Sequence, residues 1–415
     1  MAKNYADLYN FTGDSTAVEQ RFYLKAETTR GSLIAPTDAD FFFTLAGGTI
    51  EFSQPSESSP HRSGRGHVGK IRKKKEQNWS LSTYFNIDTS LGSGGAAEID
   101  PALRELWKSL LGKEVVSSGL IYTRTVPDFT FSLLECGDRW ARQGRGCFVQ
   151  QAVLQFPGDG ESMIEWSGQG KDALYVGIGK STIDNDGGNT VTVQAADADL
   201  FANAVGAMVM LIEADGTTRS ADTPNGSPRK IVSVSGAVVT LDGAALADAD
   251  GSGVNAPIYL CYYEPANPTA INDPVTGLTG SVTIPSLGGY QCIRSLQVTV
   301  ANNHELRNDC YGEDSAGGSI FVAGDRLTAT VNMEMNLNKD TFKLLKRVTE
   351  FEAQDITLVL GEAAGRRFEL ELPKVDFSTP TVNVPETGSI PIPFNDGLAL
   401  QTGFDTKDEI TASYL

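Results

Sequence analysis

Leu296, Val298 and Val300 alternate with Ser295, Gln297 and Thr299, and Leu327, Ala329, Val331, Met333 and Met335 alternate without interruption. A period of two predicts two strands. From Lys339 the spacing turns helical: Phe342, Leu344, Leu345 and Val348 form a stripe, and Asp340 is placed to cap it. The stretch 292–348 therefore predicts strand, long loop, strand, short helix. A similar unit lies about 250 residues upstream, far beyond any solenoid period. Thr49-Ile-Glu-Phe-Ser closes a strand and a loop runs over 54–69. The run 75–87 puts Trp79, Leu81, Thr83, Phe85 and Ile87 on one face. A helix is predicted over Pro101–Leu111, with proline in its first turn and Leu103, Leu106, Trp107 and Leu110 in one stripe. The recurrence predicts an internal duplication. The competing reading is chance, because this order of elements is common.

Between and around these units the patterning is uneven. Residues 1–19 are polar and mixed and read as an arm. Strand patterns cover 21–25 and 40–52, where Phe41-Phe-Phe-Thr-Leu suits a strand buried on both faces. Further strands are predicted at 120–125, 129–134, 147–156 and 163–167, with turns at Gly137-Asp and Gly144-Arg-Gly. Residues 172–264 change texture: small residues, many Asp, few aromatics, and short strands near 189–193, 208–212, 230–234, 237–241 and 257–262. That predicts an inserted small barrel or sandwich, with 265–280 as the return linker. Later strands fall at 355–360, 367–372, 390–394 and 410–415; Pro391 and Pro393 confine the third of these to an edge. The expected fold is mainly β. Two β-sandwich or barrel domains with a short helix each, at 1–170 and 267–415, flank a small β domain at 171–266.

Composition supports a turn-rich β protein: 43 Gly, 18 Pro and 8% aromatic residues, with 40% hydrophobic residues to build cores. The formal net charge of −18 excludes a protein that coats DNA, which needs a basic surface. It permits a channel wall that repels phosphates. Against this background Arg62, Arg65, Lys70, Arg72, Lys73, Lys74 and Lys75 make a basic run. It reads as solvated edge-strand charge, as a nucleic-acid patch, or as a contact with an acidic neighbour. Cys136, Cys147, Cys261, Cys292 and Cys310 form no Cys-x-x-Cys pair and read as free thiols of a reducing cytoplasm, with disulfides between subunits as the alternative. No apolar leader or membrane-length apolar run is present in the sequence. His61, His67 and His304 lack metal spacing, and no nucleophile elbow, phosphate loop or zinc-protease motif occurs. Asp184-Asn-Asp-Gly-Gly-Asn and Asp248-Ala-Asp-Gly-Ser-Gly fit turn chemistry better than a calcium loop. No enzyme activity, metal or cofactor is expected.

The string Leu296-Gln-Val-Thr-Val-Ala-Asn-Asn-His-Glu-Leu-Arg-Asn-Asp resembles the tail tube proteins (major tail proteins) of bacteriophages. Val322-Ala-Gly-Asp-Arg-Leu-Thr-Ala-Thr-Val, Glu369-Leu-Glu-Leu-Pro-Lys-Val-Asp-Phe and Asp405-Thr-Lys-Asp-Glu-Ile-Thr-Ala-Ser-Tyr look similar to the same family. So do Asn78-Trp-Ser-Leu-Ser-Thr-Tyr-Phe and Pro101-Ala-Leu-Arg-Glu-Leu-Trp-Lys-Ser-Leu-Leu-Gly in the first half. The resemblance spans most of the chain except the middle. It implies a structural virion protein with two tube-type domains, assembled in the host cytoplasm into the virion tail. Three chains would make a pseudo-hexameric ring, and rings would stack into a conduit for the genome. Implied partners are further copies of the chain, a tape measure protein and passing DNA in the lumen, and tail terminator and distal tail proteins; no membrane is involved. The short helices would pack on the outer side of the sheets, and the inserted domain would decorate the outside. The implied contacts between rings are the basic run on one loop and Glu305, Asp309, Glu313 and Asp314 on the matching loop. The rival expectation is a carbohydrate-binding or adhesion β protein of the virion, with Trp79, Trp107, Trp140 or Trp166 as exposed platforms.

Overall fold

The alternating runs form antiparallel strands, and the chain is mainly β. The computed structural model describes residues 3–15, 20–45, 47–60, 62–63, 66–67, 69–85, 99–117, 119–125, 130–183, 188–219, 227–246, 257–265, 280–306, 321–322, 327–361, 367–404, 406 and 408–415. The first segment carries β1 (Arg21–Ala26), β2 (Thr49–Ser53), β3 (Glu76–Tyr84), β4 (Leu120–Arg124), β5 (Phe131–Cys136), β6 (Ala141–Pro157), β7 (Met163–Gly170) and β8 (Asp172–Val176). The last segment carries β9 (Ser295–Ala301), β10 (Thr328–Asn336), β11 (Gln354–Leu360), β12 (Phe368–Asp376), β13 (Pro391–Ala399) and β14 (Thr411–Tyr414). The helices are α1 (Tyr5–Asn10), α2 (Pro101–Leu111) and α3 (Lys339–Thr349).

One sheet crosses both segments in the order β2–β3–β7–β6–β9–β10–β13–β12, antiparallel at every step. A facing layer, β11–β12–β14–β4, closes the sandwich. Apolar positions on alternate residues fill the space between: Trp79, Leu81 and Trp166 from the first segment, Val298, Met333, Phe394 and Tyr414 from the last. The segments expected as two domains thus share one core. The carboxyl-terminal strand seals it, because β14 pairs with β4 of the first segment and Tyr414 lies opposite Leu120.

A third layer, β1–β5–β6–β8, uses only the first half of β6. Phe22, Leu24, Phe131 and Leu133 face the main core; Tyr23, Leu134, Cys136 and Ala141 face the other way, into a second core. Burial on both faces explains why Phe131–Cys136 is buried throughout. The Phe41 run, predicted to be such a strand, contributes only Phe41–Phe42. The second core is completed by a closed barrel of six strands: Ile178–Ile183, Thr190–Val193, Val238–Leu241, Arg229–Ser235, Met208–Glu213 and Pro257–Tyr262. The first of these was not predicted, since Gly179, Lys180 and Ser181 interrupt its apolar pattern. The barrel leaves and returns at one place, where Tyr262 N–H donates to the Gly177 carbonyl at 3.2 Å.

Two expectations are corrected by this packing. Gly144-Arg-Gly is not a turn but lies within the first half of the 17-residue strand β6. A Cβ on Gly144 would lie 2.2 Å from Gln77 Nε2, so glycine there permits the close approach of two layers, and Gly146 bends the strand at φ +63°. Residues 1–19 are not merely an arm: Asn4 caps α1, and Tyr5 is buried against the barrel. Between barrel and body the buried Glu264 carboxylate accepts from Lys3 Nζ at 2.7 Å and from Arg21 Nη1 at 3.2 Å.

The helices also differ from expectation. α2 has the predicted bounds, yet it lies inside the sandwich and not outside it. Trp107 packs edge-on against Trp166 at 5.2 Å and donates to the Tyr414 hydroxyl at 2.9 Å. α3 is capped by Asn338, whose side chain accepts from the Asp340 and Thr341 amides; Asp340 sits within the first turn and not at the cap. Leu344 and Val348 are buried, whereas Phe342, expected on the same stripe, is 59% exposed. The buried face is set by Thr341, Leu344 and Val348, one residue round from the stripe read in sequence.

Candidate assembly surfaces

Two four-strand units follow each other in the main sheet. In the first, the order is β2–β3–β7–β6; in the second, β9–β10–β13–β12. Each begins with a hairpin and then a helix, α2 or α3, and ends on a hairpin whose later strand pairs with the second strand of the unit. Matching positions run across both. Leu81 lies opposite Trp166 where Met333 lies opposite Phe394. Ile50, Trp79 and Gly168 make one row; Val298, Val331 and Gly397 make the corresponding row. The units meet at β6 and β9, paired from Gln151↔Ala301 to Pro157↔Ser295.

The outer face of this sheet is polar. Ser80, Ser82, Gln151, Gln155, Gln297, Thr299, Thr330 and Asn332 alternate with the buried apolar row. The charged outward positions are Glu51, Glu76, Glu165, Glu334 and Asp396, and none is basic among the described residues over the part of the sheet from β2 to β13. Arg294, just before β9, pairs with Glu334 at 2.6 Å. Such a face is weakly acidic and offers a polyanion no cation to bind.

The predicted loop 54–69 is instead a ribbon that prolongs the β2–β3 hairpin. Ser56–Ser58 pairs with Lys70–Arg72, and Arg62–Ser63 with Gly66–His67. Six residues of the first pairing are exposed on both faces, so the ribbon stands in solvent. A free two-stranded ribbon is marginal by itself and is suited to docking on something else. Lys70, Arg72 and Lys73 are exposed along it; Lys74 and Lys75 are half-buried at its base. Glu57 holds an ion pair with Lys73 and raises its pKa through that hydrogen bond. Arg62 lies on the distal strand pair, and Arg65 lies outside the described residues. The second unit has a counterpart, Glu305–Leu306 paired with Phe321–Val322 between β9 and β10. Glu305 lies on it, whereas Asp309, Glu313 and Asp314 fall outside the described residues.

Sheet edges complete the picture. Beyond β2 no strand is paired among the described residues. The outward carbonyl of Ile50 accepts from Arg142 Nη1 at 2.7 Å, and that of Gly48 from Gln20 Nε2 at 3.2 Å. At the other end, β12 pairs with β13 only through Val375↔Ala399 and Asp376↔Leu398. Residues 377–385 then run on without ladder bonds. Of these edges only the free side of the first half of β13 was legible from the local pattern, through Pro391 and Pro393.

Other candidate chemistry is placed as follows. Trp79, Trp107 and Trp166 are core residues, and Arg142 covers the Trp140 ring at 5.0 Å. Cys136, Cys147 and Cys261 are buried free thiols whose pKa values burial raises, and Cys292 is an exposed free thiol; Cys310 lies outside the described residues. His304 is buried after β9, and burial alone pushes its imidazole down to about 4. The two Asp-Gly turns and His61 lie largely or wholly outside the described residues, and of His67 only the backbone is described. In comparisons with known proteins, no family model and no curated sequence matches the chain.

Proposed function

We propose that this chain is the wall subunit of a β-tube, as its resemblance to phage tail tube proteins implies. The observation that carries the reading is the tandem order of β2–β3–β7–β6 and β9–β10–β13–β12 in one sheet. A sheet that already joins one unit to the next inside the chain can join chain to chain in the same way, and closure of the ring removes the open edges. Two units per chain make three chains the number for six positions. The polar, cation-free face suits a lumen through which DNA slides. The barrel, lying beyond the third layer, then decorates the tube. The carbohydrate-binding alternative has less support, because three of the four tryptophans it needs are in the core.

Electron microscopy of the purified protein tests the proposal. Threefold rings or stacked tubes with two tube units per chain are expected. Discrete monomers over a range of concentration, or rings of six chains, would overturn it.

The ribbon provides a separate check. Changing Lys70, Arg72 and Lys73 to Glu should leave the unfolding midpoint of the subunit in place and shorten or abolish stacked tubes. High salt should have the same effect on the unaltered protein, since it screens the same contact. Normal tubes from the triple variant would leave these residues as solvated charge.

A further inference from the structure

The internal seam between the two units specifies a second seam, between chains. Residues 377–385 occupy in the second unit the place that the later half of β6 holds in the first. The β6–β7 hairpin sets Leu154 opposite Ile164. Continuing the β12–β13 register from Val375↔Ala399 sets Val382 opposite Ile392, two residues before Phe394 as Ile164 is two before Trp166. Phe377 still packs on Phe394 at 5.8 Å, and Val382 packs against the main core.

Yet no ladder forms there, and the reason is chemical. Leu337 N–H donates to the Ile390 carbonyl at 2.7 Å, so the even residues at the start of β13 point toward β10 and the odd ones point away. The odd ones include Pro391 and Pro393, which have no N–H to give. Pro385 removes another donor from the opposite side. The segment is consequently left beside β13 with its far edge unpaired among the described residues, and Val384 is 73% exposed where Phe156 is buried in the first unit.

The matching acceptor is β2. Its outward groups, with that of Gly48 just before it, belong to Ile50 and Phe52, and among the described residues the carbonyls of Gly48 and Ile50 reach only the side chains of Gln20 and Arg142. In the second unit the equivalent strand, β9, is paired to β6, with Val298 opposite Leu154.

We propose that residues 379–384 become a strand by pairing with β2 of a second copy of this chain, in the register of the β6–β9 seam, so that Val382 lies opposite Ile50. This rests on the tube reading and names the edges that close the ring. Asn302 N–H to the Gln150 carbonyl and Gly158 N–H to the Arg294 carbonyl bracket the internal seam, so even residues of β6 bond across it. By equivalence the peptide groups of Val382 and Val384 bond to the neighbour. Pro380 stands where β6 has Ala152, which leaves the new ladder one donor short, opposite Phe52. Each edge carbonyl keeps a second lone pair, so a ladder bond to Ile50 adds to the one from Arg142. The prolines guard the isolated chain: a segment that cannot pair within its own sheet is a poor template for uncontrolled strand addition.

Cross-linking reads the register directly. Val153↔Thr299 in the internal seam corresponds to Thr381 opposite Glu51 between chains. This is a pair without mutual hydrogen bonds, whose side chains approach within disulfide range, whereas a position two residues along does not. The double variant E51C/T381C is made with Cys292 and Cys310 changed to Ser, alongside E51C/N383C as the offset control. Both positions are exposed at the native edges, so neither change disturbs the core. Oxidation of assembled protein should convert most of the E51C/T381C chains to covalent multimers, reversed by reductant, and leave the offset pair monomeric on a denaturing gel. Rings or tubes that cross-link at neither pair, or at the offset pair, overturn this seam and leave the tube reading intact. Failure of the unaltered protein to assemble removes both.

Discussion

Trp107→Ala should destabilise the whole sandwich in a single step, both segments together. The indole is fully buried, 0% exposed, and touches rings from both segments: Trp166 at 5.2 Å, Tyr122 at 5.9 Å, Phe368 at 6.0 Å and Tyr414 at 6.4 Å. Its truncation removes those contacts and opens a cavity, a change that costs about 3–5 kcal/mol. The Tyr414 hydroxyl also loses its donor, worth roughly a further 1–3 kcal/mol in a buried setting. Domains are stable by about 5–15 kcal/mol, so the loss is a large part of the total. Phe342→Ala, at 59% exposure, should change stability by only about 0.5 kcal/mol. Denaturant titration followed by circular dichroism compares the two. If Trp107→Ala behaves like Phe342→Ala, α2 is not central to the core. If its two segments melt in separate transitions, they are independent domains after all.

Glu264→Ala should release the amino-terminal helix and loosen the barrel from the body. The carboxylate is buried and faces Lys3 Nζ at 2.7 Å, Arg21 Nη1 at 3.2 Å and the Tyr5 hydroxyl at 3.5 Å. Removing it takes that carboxylate from the buried Lys3 ammonium and the partly exposed Arg21 guanidinium. Breaking a buried pair in this way costs about 3–5 kcal/mol, much more than removal of an exposed pair. Arg219 also donates to the Glu264 backbone carbonyl, a bond the substitution keeps, so the return strand of the barrel is not itself cut loose. Faster proteolysis in residues 11–20, and a barrel transition that separates from that of the sandwich, are the expected results. Cleavage at the rate of the unaltered protein would mean that apolar contacts of Tyr5 and Tyr262 alone hold the joint.

For the proposed tube, the sheet edges matter more than any single side chain. Pro391 and Pro393 are visible in the sequence, and they mark an edge without saying which strand it lacks. Only the pairing of β10 with one side of β13 shows that the missing donors face residues 377–385. The basic run is equally visible, but its placement on a solvent-standing ribbon depends on Ser56–Ser58 finding Lys70–Arg72.

What the sequence determined by itself is local. Alternation in 295–300 and 327–335 sets β9 and β10, the stripe Leu103, Leu106, Trp107, Leu110 sets α2, and the texture change after Gly170 announces the barrel. Each depends on neighbours two to four residues apart, which is where periodicity acts. The tertiary structure decided the rest. It made one core out of two segments, because strand partners are chosen across hundreds of residues by matching apolar faces: Leu154 with Val298, Tyr414 with Leu120. It put α2 inside and left Phe342 of α3 in solvent, because the face a helix buries depends on what lies over it. It ran β6 on through Gly144 and Gly146, because Gly144 admits the close approach of Gln77 and Gly146 bends the strand without ending it. Charge and turn residues report what a stretch can do, and the contacts between layers select which of those possibilities is used.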